Sequence, residues 1–263
     1  MLNDWGPLVL LALAALGAGA VNSIAGGGTL LTFPALTYFV AGEVANATST
    51  LALLPGSMAG AWGYRSEVRQ SKRLVLLLLG PSLAGGLVGA KLVVWYPKQF
   101  DSLIPWLILT AAVLFLIQPR VTQLLKKRNR DPHAHANTTT TAGVVIFQFF
   151  VAVYGGYFGA GIGILMLASL GLMAVGDVHR INGVKTVLAS MINAASVAVF
   201  LTTPGIIHWK YAAVMAVGAV LGGYVGARTA RKLPAVYVRW SIIVIAFALA
   251  AFYFWRQWNR IGE

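Results

Sequence analysis

The chain has 263 residues, of which 58% are hydrophobic and only 10% are charged. This balance leaves too few polar side chains for the surface of a water-soluble protein, and the absence of cysteine excludes disulfides and thiolate metal sites. The net charge of +13 lies mainly in short loops between apolar segments, where it indicates membrane orientation, so we expect no nucleic acid partner. The composition predicts an all-α polytopic membrane protein.

Ten apolar segments follow one another along the chain, five in each half. The second segment of each half has only about 14 residues, whereas a straight spanning helix needs about 20. We therefore predict that each half is a glycine-broken or re-entrant hairpin followed by three transmembrane helices, which gives about 8–10 membrane segments in all. The ten segments are 7–25, 28–41, 44–63, 74–95, 102–119, 142–160, 162–175, 181–203, 210–228 and 236–255.

A charged and then polar stretch separates the two sets of segments. It covers residues 120–141 and contains His133 and His135, which we interpret as solvated because no third metal ligand lies nearby in the sequence. The predicted domains are an N-terminal repeat at 1–119, a cytoplasmic linker at 120–141 and a C-terminal repeat at 142–263.

Three local signatures occur twice in the same order, which indicates that the chain is a duplication. Their separations are 133, 136 and 137 residues, so the spacing hardly drifts over a whole half. The first-half signatures are G-G-G-T at 26–29, N-A-T-S-T at 46–50 and G-G-L-V-G-A-K at 85–91. Their second-half counterparts are G-A-G-I at 159–162, N-G-V-K-T at 182–186 and G-G-Y-V-G-A-R at 222–228. Duplicated membrane units are typical of transporters.

The basic residues of the loops do not repeat with the signatures. The loop at 65–73 carries four of them, whereas its counterpart at 202–210 carries only Lys210. Conversely, the stretch 228–239 has four basic residues and its counterpart 95–102 has one. By the positive-inside rule, equivalent loops lie on opposite sides of the membrane. This predicts two inverted repeats, with both chain termini outside and the linker in the cytoplasm.

The repeated glycines have two different roles in this interpretation. The G-x-x-x-G pairs at 85–89 and 222–226 are typical of close helix packing, which we favour over substrate contact. The glycines at 26–28 and 159–163 are dense enough to break a helix, and such a break is tolerated in a membrane where it lines a cavity. The helix that resumes after each break would direct its N-terminal amides at that cavity, which suits an anion.

Polar side chains follow both breaks. They are Asn46, Thr48, Ser49 and Thr50 in the first half, and Asn182, Lys185 and Thr186 in the second. A lysine within a membrane segment costs about 2.5–3.5 kcal/mol on insertion scales, so Lys185 needs a partner, a wet cavity or a route to the interface. Two interpretations are open: Lys185 binds an anion, as the upstream break favours, or it snorkels to the interface near His179 and Arg180.

The acidic residues all lie in predicted loops or at segment ends. A cation transporter or a carboxylate proton relay would usually place an acid at mid-membrane, so the transported species is predicted to be an anion. No catalytic residue, metal ligand or cofactor motif stands out, and we expect no enzyme activity and no cofactor. The seven acids are Asp4, Glu43, Glu67, Asp101, Asp131, Asp177 and Glu263.

Longer motifs around these residues resemble a known family. T-L-L-T-F-P-A-L at 29–36, G-E-V-A-N-A-T-S-T at 42–50, G-Y-F-G-A-G-I-G at 156–163 and D-V-H-R-I-N-G-V-K-T at 177–186 are similar to the TauE/SafE family of sulfite and organosulfur anion exporters. The resemblance implies an inner-membrane permease for small sulfur-containing anions, driven by a proton gradient. The binding positions that it implies are Gly27, Gly28, Asn46, Ser49, Thr50, Gly161, Asn182, Lys185 and Thr186.

The second half departs from the pattern at Leu167 and Ala168, where the first half has Phe33 and Pro34. The two half-helices therefore need not contribute equally to a site. The leading hypothesis is a secondary transporter of sulfite or sulfonates that works by alternating access around a midplane anion site. The alternatives are a channel-like or sensory membrane component on the same scaffold, or a carrier of another small anion. The sequence leaves the oligomeric state open.

Overall fold

A computed structural model describes residues 5–24, 27–128, 138–172, 178–229 and 235–261. In these ranges the chain forms eleven α-helices and no strand, so the predicted all-α class is confirmed. The helices are α1 (Trp5–Ile24), α2 (Thr29–Thr37), α3 (Gly42–Gly63), α4 (Arg65–Gln70), α5 (Lys72–Trp95), α6 (Pro97–Arg128), α7 (Thr138–Tyr157), α8 (Ile162–Leu172), α9 (Val178–Leu201), α10 (Trp209–Thr229) and α11 (Ala235–Ile261).

Five helices in the described ranges, α1, α5, α6, α9 and α11, are long and apolar enough to cross a membrane. The outer surface of the bundle carries large apolar side chains, among them Trp106, Phe150 and Val217, each more than half exposed. Exposed apolar surface of this extent is unfavourable in water and suits a lipid environment. The chain is therefore a polytopic membrane protein.

Two elements extend beyond the predicted segments. The short helix α4 lies in the first basic loop, where Glu67 in its first turn and Arg69 in its last complement the helix dipole. Helix α6 continues to Arg128, into the predicted linker 120–141, because the residues after Pro119 are good helix formers. The linker histidines lie outside the described residues, and the division into two repeats and a linker stays a prediction.

Both predicted hairpins are broken at their glycines. Four residues lie between the end of α1 and the start of α2, and four lie between the end of α7 and the start of α8. Gly27, Gly159 and Gly161 have φ angles of 105°, 83° and 81°, which lie in the left-handed region that favours glycine. The glycine clusters therefore interrupt the helices because their backbone adopts conformations that other residues reach only with strain.

The two breaks lie against the middle of the same helix, α6. A Cβ added to Gly27 would overlap the ring of Phe115, and one added to Gly161 would lie 3.1 Å from Cδ1 of Leu114. Phe115 and Leu114 are neighbours, close to the midpoint of α6. The first and second halves of the chain therefore bring their breaks together at the centre of the bundle.

Close packing of helices surrounds this centre. Helix α1 packs along α10, and α7 packs along α5. Because α7 is the repeat counterpart of α1, and α10 that of α5, the same pair of helices packs together twice, once with the halves exchanged. A Cβ on Gly222 would overlap the carbonyl group of Leu16, and one on Gly89 would overlap that of Val153. The predicted packing role of the G-x-x-x-G pairs is confirmed for these two glycines and for Gly85, which meets α7 in the same way.

Two pairs of helices at equivalent positions of the two halves, α3 with α9 and α6 with α11, run in opposite directions. Ser57 of α3 contacts Ser190 of α9, whereas Tyr64, further along α3, lies beside Gly183, which is earlier in α9. Helices α6 and α11 are antiparallel in the same way. Inverted repeats require this arrangement, and the orientation of the two halves in a membrane stays a prediction.

The contact between α1 and α10 gives a test of packing. We expect Gly222→Ala to lower the thermal unfolding midpoint in detergent by several degrees, because the new Cβ forces α10 away from the Leu16 carbonyl at a cost of about 1–3 kcal/mol. The control is Gly80→Ala, in which alanine raises the helix propensity by the same amount. Its added Cβ would have no atom within 4 Å, so it does not disturb packing. Equal midpoints for the two variants would contradict the packing role.

Candidate functional site

A cavity of about 800 Å³ lies between the two halves, and we call it the central cavity. Both glycine breaks line it, together with parts of α1, α3, α6, α8, α9 and α10. From the breaks it extends to Tyr64, Thr122 and Ile181, which lie near one set of helix ends. A cavity of this size holds a small solute and accompanying water.

Several basic residues of the chain lie at the helix ends nearest these lining residues of the central cavity. Arg65 and Lys72 follow the end of α3, Arg120 precedes the end of α6, and Arg180 lies at the start of α9. All four side chains are exposed. We call this side of the molecule the basic end, and the central cavity opens toward it.

The side of the breaks away from the basic end is closed by packed aromatic rings. Phe33 makes edge-to-face contacts with Phe158 and Phe100, at centroid distances of 5.2 and 6.2 Å, and Phe100 contacts Tyr157 at 5.1 Å. The three phenylalanines are buried. We call these rings the aromatic plug; Phe158 also lines the central cavity, so the plug lies directly beside the cavity wall.

The structure places the nine predicted site residues in two groups. The larger group lines the central cavity and consists of Gly27, Thr50, Gly161, Asn182, Lys185 and Thr186. The other three, Gly28, Asn46 and Ser49, do not line the cavity and are buried beside it. Whether any of the nine contacts a substrate stays a prediction.

The buried group makes contacts within the protein. The side-chain amide of Asn46 donates a hydrogen bond to the carbonyl oxygen of Tyr157 (3.0 Å), and the hydroxyl groups of Ser49 and Thr32 are hydrogen-bonded at 2.6 Å. Gly28 packs against the backbone of Ala18. The Oδ1 atom of Asn46 is buried and has no hydrogen-bond partner within the described ranges. These contacts join α3 to α2 and α7, and the first glycine break to α1, on the closed side.

Lys185 is the only basic residue that lines the central cavity within the described part of the chain. Its side chain passes Gly163, where an added Cβ would lie 3.3 Å from Cδ and 3.8 Å from Nζ of Lys185. Among the residues that the structure describes, its ammonium group has no hydrogen bond and no ion pair, and no Asp or Glu lines the cavity. The site therefore offers one unneutralised positive charge to a solute.

The start of α8 lies next to this lysine. Gly161, Ile162 and Gly163 all line the central cavity, and α8 begins at Ile162. The first amide groups of a helix have no partner within the helix and lie at the positive end of its dipole. An oxyanion in the cavity would meet both these amides and the ammonium group of Lys185.

Amide side chains add further donors. Asn182 and Asn193 of α9 and Asn22 of α1 line the central cavity, and no hydrogen bond within the described ranges engages their side chains. Thr50 and Thr186 contribute less, because each hydroxyl group donates to the carbonyl oxygen four residues earlier, at 2.8 Å. The donors for an anion are therefore the lysine, the helix amides and the asparagines.

Comparison with known proteins identifies the family of the chain. A family model described as sulfite exporter TauE/SafE matches residues 11–253. The chain belongs to the TauE/SafE family. The resemblance noted in the sequence is thus confirmed, and it covers both halves of the chain.

Curated relatives of this TauE/SafE protein are named as transporters. A probable membrane transporter protein, ORF9, of Sinorhizobium sp. is 28% identical and is matched over 92% of this chain and 90% of its own length. A probable membrane transporter protein of Haemophilus influenzae is 26% identical over 89% of both chains, and YfcA of Escherichia coli K12 is 26% identical over 93% and 89%. No solved structure matches the chain. The protein is a membrane transporter of the TauE/SafE family.

Several polar residues of the central cavity were not identified from the sequence, among them Asn22, Ser57, Gln118 and Asn193. Ser57 and Asn193 are 136 residues apart, the same offset as the second signature, so an alignment of the two halves would have found them. Asn22 and Gln118 are isolated polar residues in apolar helices, and the direction of their side chains depends on how each helix is rotated in the bundle. The sequence carries no signal for that rotation.

Proposed function

We propose that this transporter carries small sulfur-containing anions, such as sulfite or sulfonates, across the cell inner membrane. The observation that carries the proposal is Lys185, a cation without an ionic partner in the described residues, beside the N-terminus of α8 in a cavity that no acid lines. The description of the family model as a sulfite exporter supports this substrate class. The site needs no cofactor to bind such an anion.

The chemistry of the central cavity fits a small oxyanion. Sulfite has several oxygen atoms, which can accept hydrogen bonds from Lys185, the amides of α8 and Asn182 at once. The lining also includes Leu53 and Phe115, which offer apolar contact to the organic part of a sulfonate. The same donors therefore serve inorganic and organic members of the class.

The unequal state of the two halves supports an alternating-access mechanism. Asn46 and Ser49 stand 136 residues before Asn182 and Lys185, so the pairs are equivalent in the duplication. The second-half pair lines the open cavity, whereas the first-half pair is sealed on the closed side. If the halves are inverted repeats that exchange conformations, the first pair would line a cavity that opens to the opposite end.

The basic end gives the direction of access. By the positive-inside rule it faces the cytoplasm, so the described state is open to cytoplasmic substrate and both chain termini lie outside. Loading from the cytoplasm suits export. The proton gradient expected from the family resemblance is the proposed driving force.

Reconstitution into liposomes tests this function. We expect saturable sulfite uptake that organic sulfonates inhibit competitively and that a pH gradient accelerates. Liposomes with Lys185→Met protein serve as the matched control, since they have the same lipid and protein content. Uptake that rises linearly with sulfite concentration would instead indicate a channel, and absence of flux for every sulfur oxyanion would rule out the proposed substrate class.

A further inference from the structure

A second cavity, of about 460 Å³, lies on the outer surface of the bundle at the basic end. We call it the basic groove. Its lining includes the basic residues Arg65, Arg69 and Lys72 and the large apolar residues Met58, Trp62 and Met191. The groove thus combines a positively charged part with an apolar part, and the proposed transport site does not account for it.

Four helices form the groove: the last turns of α3, the short helix α4, the first residue of α5 and the middle of α9. Helix α4 packs against α9, and the side of α4 that carries Glu67 faces Gly183, where an added Cβ would lie 3.1 Å from the Cβ of Glu67. Among the residues that the structure describes, no acid lines the groove itself. The packing of α4 therefore directs its acid toward the bundle and leaves its arginines at the groove.

The charged part of the groove lies at the level of the membrane interface. Lys72 is the first residue of a candidate membrane span, Lys72–Trp95, and Trp62 is 71% exposed one residue before the end of α3. Tryptophan and basic residues at span ends mark the headgroup level of a bilayer. Met58 and Met191 lie further inside their helices, at the level of the acyl chains.

One of the three cations is held in place at the groove. The guanidinium group of Arg65 lies over the ring of Trp62, 5.9 Å from its centroid, and Nη1 of Arg65 donates a hydrogen bond to the carbonyl oxygen of Trp62 (3.3 Å). Arg69 and Lys72 are exposed beside it. Three positive charges at one interfacial groove are complementary to a phosphate group.

We propose that the basic groove binds an anionic phospholipid of the surrounding membrane. Its phosphate lies among Arg65, Arg69 and Lys72, and an acyl chain lies along Met58 and Met191. A free phosphate would use only the charged part, whereas a lipid also covers the exposed apolar surface below it.

The position of the groove connects the lipid to the central cavity. Ser190 lines both cavities, and its hydroxyl group donates a hydrogen bond to the carbonyl oxygen of Ser57 (2.8 Å) across the contact of α3 with α9. The two cavities therefore share a wall, and a bound lipid packs against the helix pair that encloses the transport site.

Native mass spectrometry of the detergent-solubilised full-length protein tests the proposal. The wild-type protein is expected to retain phosphatidylglycerol over phosphatidylcholine, and Arg65→Gln/Arg69→Gln is expected to weaken that retention by about fivefold for each charge removed. The matched control is Arg73→Gln, which removes a charge from an exposed residue of the same loop that does not line the groove. Lys185→Met is expected to retain the lipid fully, so a failure of the transport proposal leaves this result unaffected.

Three results would overturn the lipid site. They are equal retention of the two lipids by the wild-type protein, equal loss with Arg73→Gln and with the double variant, and displacement of the lipid by millimolar inorganic phosphate, which would indicate a site for free phosphate. If the double variant does not elute as a folded protein, Lys72→Gln gives the same comparison, because Lys72 is exposed at the first position of α5.

Discussion

Replacement of Lys185 by methionine is expected to weaken sulfite binding by roughly 10- to 150-fold, which corresponds to the loss of a charge-assisted hydrogen bond worth about 1.5–3 kcal/mol. The ammonium group is the single side-chain cation of the central cavity within the described residues, and no acid of the lining neutralises it. Methionine has a similar length and keeps the apolar contact with Gly163. The change therefore removes charge while it preserves packing.

The measurement is a titration of the purified protein with sulfite, by calorimetry or by ligand-induced thermal stabilisation. Lys91→Met is the matched control, because Lys91 also lies within an apolar span but is exposed, with its ammonium group 5.7 Å from the ring centroid of Trp95 and away from the cavity. Lys185→Arg, which keeps the charge, should bind sulfite better than the methionine variant. Unchanged affinity in Lys185→Met would assign Lys185 to the snorkelling interpretation.

Single cysteines at the two ends of the bundle are expected to react from opposite sides of the membrane. The natural chain has no cysteine, so each introduced thiol is unique. Gln70 lies in the first basic loop and Thr202 in its repeat counterpart, and both are exposed. A membrane-impermeant maleimide should label Thr202→Cys in intact spheroplasts and Gln70→Cys only after permeabilisation, because inversion puts the two loops on opposite faces.

In intact spheroplasts we expect nearly complete labelling of Thr202→Cys and almost none of Gln70→Cys. Partial labelling of both variants would therefore be easy to recognise as a mixed topology. Equal labelling of both variants after permeabilisation is the control for thiol reactivity. Equal labelling in intact spheroplasts would exclude inverted repeats. It would leave the anion chemistry of the central cavity untouched, since that depends on Lys185 and α8 rather than on sidedness.

Much of the fold could be predicted because hydropathy and glycine content act locally. The apolar segments each correspond to a helix, and Gly27, Gly28, Gly159 and Gly161 of the dense glycine clusters lie in the helix breaks. Helix α4 was not predicted, because a polar helix of six residues cannot be distinguished from a loop by hydropathy. Helix α6 passes into the predicted linker because polar residues with good helix propensity continue it after its apolar part ends.

The candidate site was predicted less completely because a duplicated sequence says nothing about which conformation the protein adopts. Asn46 and Asn182 look equivalent in the sequence, yet only Asn182 lines the central cavity. In the described conformation the polar residues of the second-half motif line the cavity and those of the first-half motif, apart from Thr50, are buried beside it, so the two copies of the motif have different surroundings. The repeats also differ where the first half has Phe33 and the second has Leu167. Phe33 belongs to the aromatic plug, whereas Leu167 lines the central cavity.

The support that α6 gives to both glycine breaks has a mechanical consequence. Phe115 meets Gly27 and its neighbour Leu114 meets Gly161, so both half-helices rest on two adjacent residues of α6. If the halves exchange conformations as proposed, a displacement of either break would be transmitted to the other through these two residues. The movements of the two halves would then be coupled, and a state open at both ends would require α6 to lose both contacts.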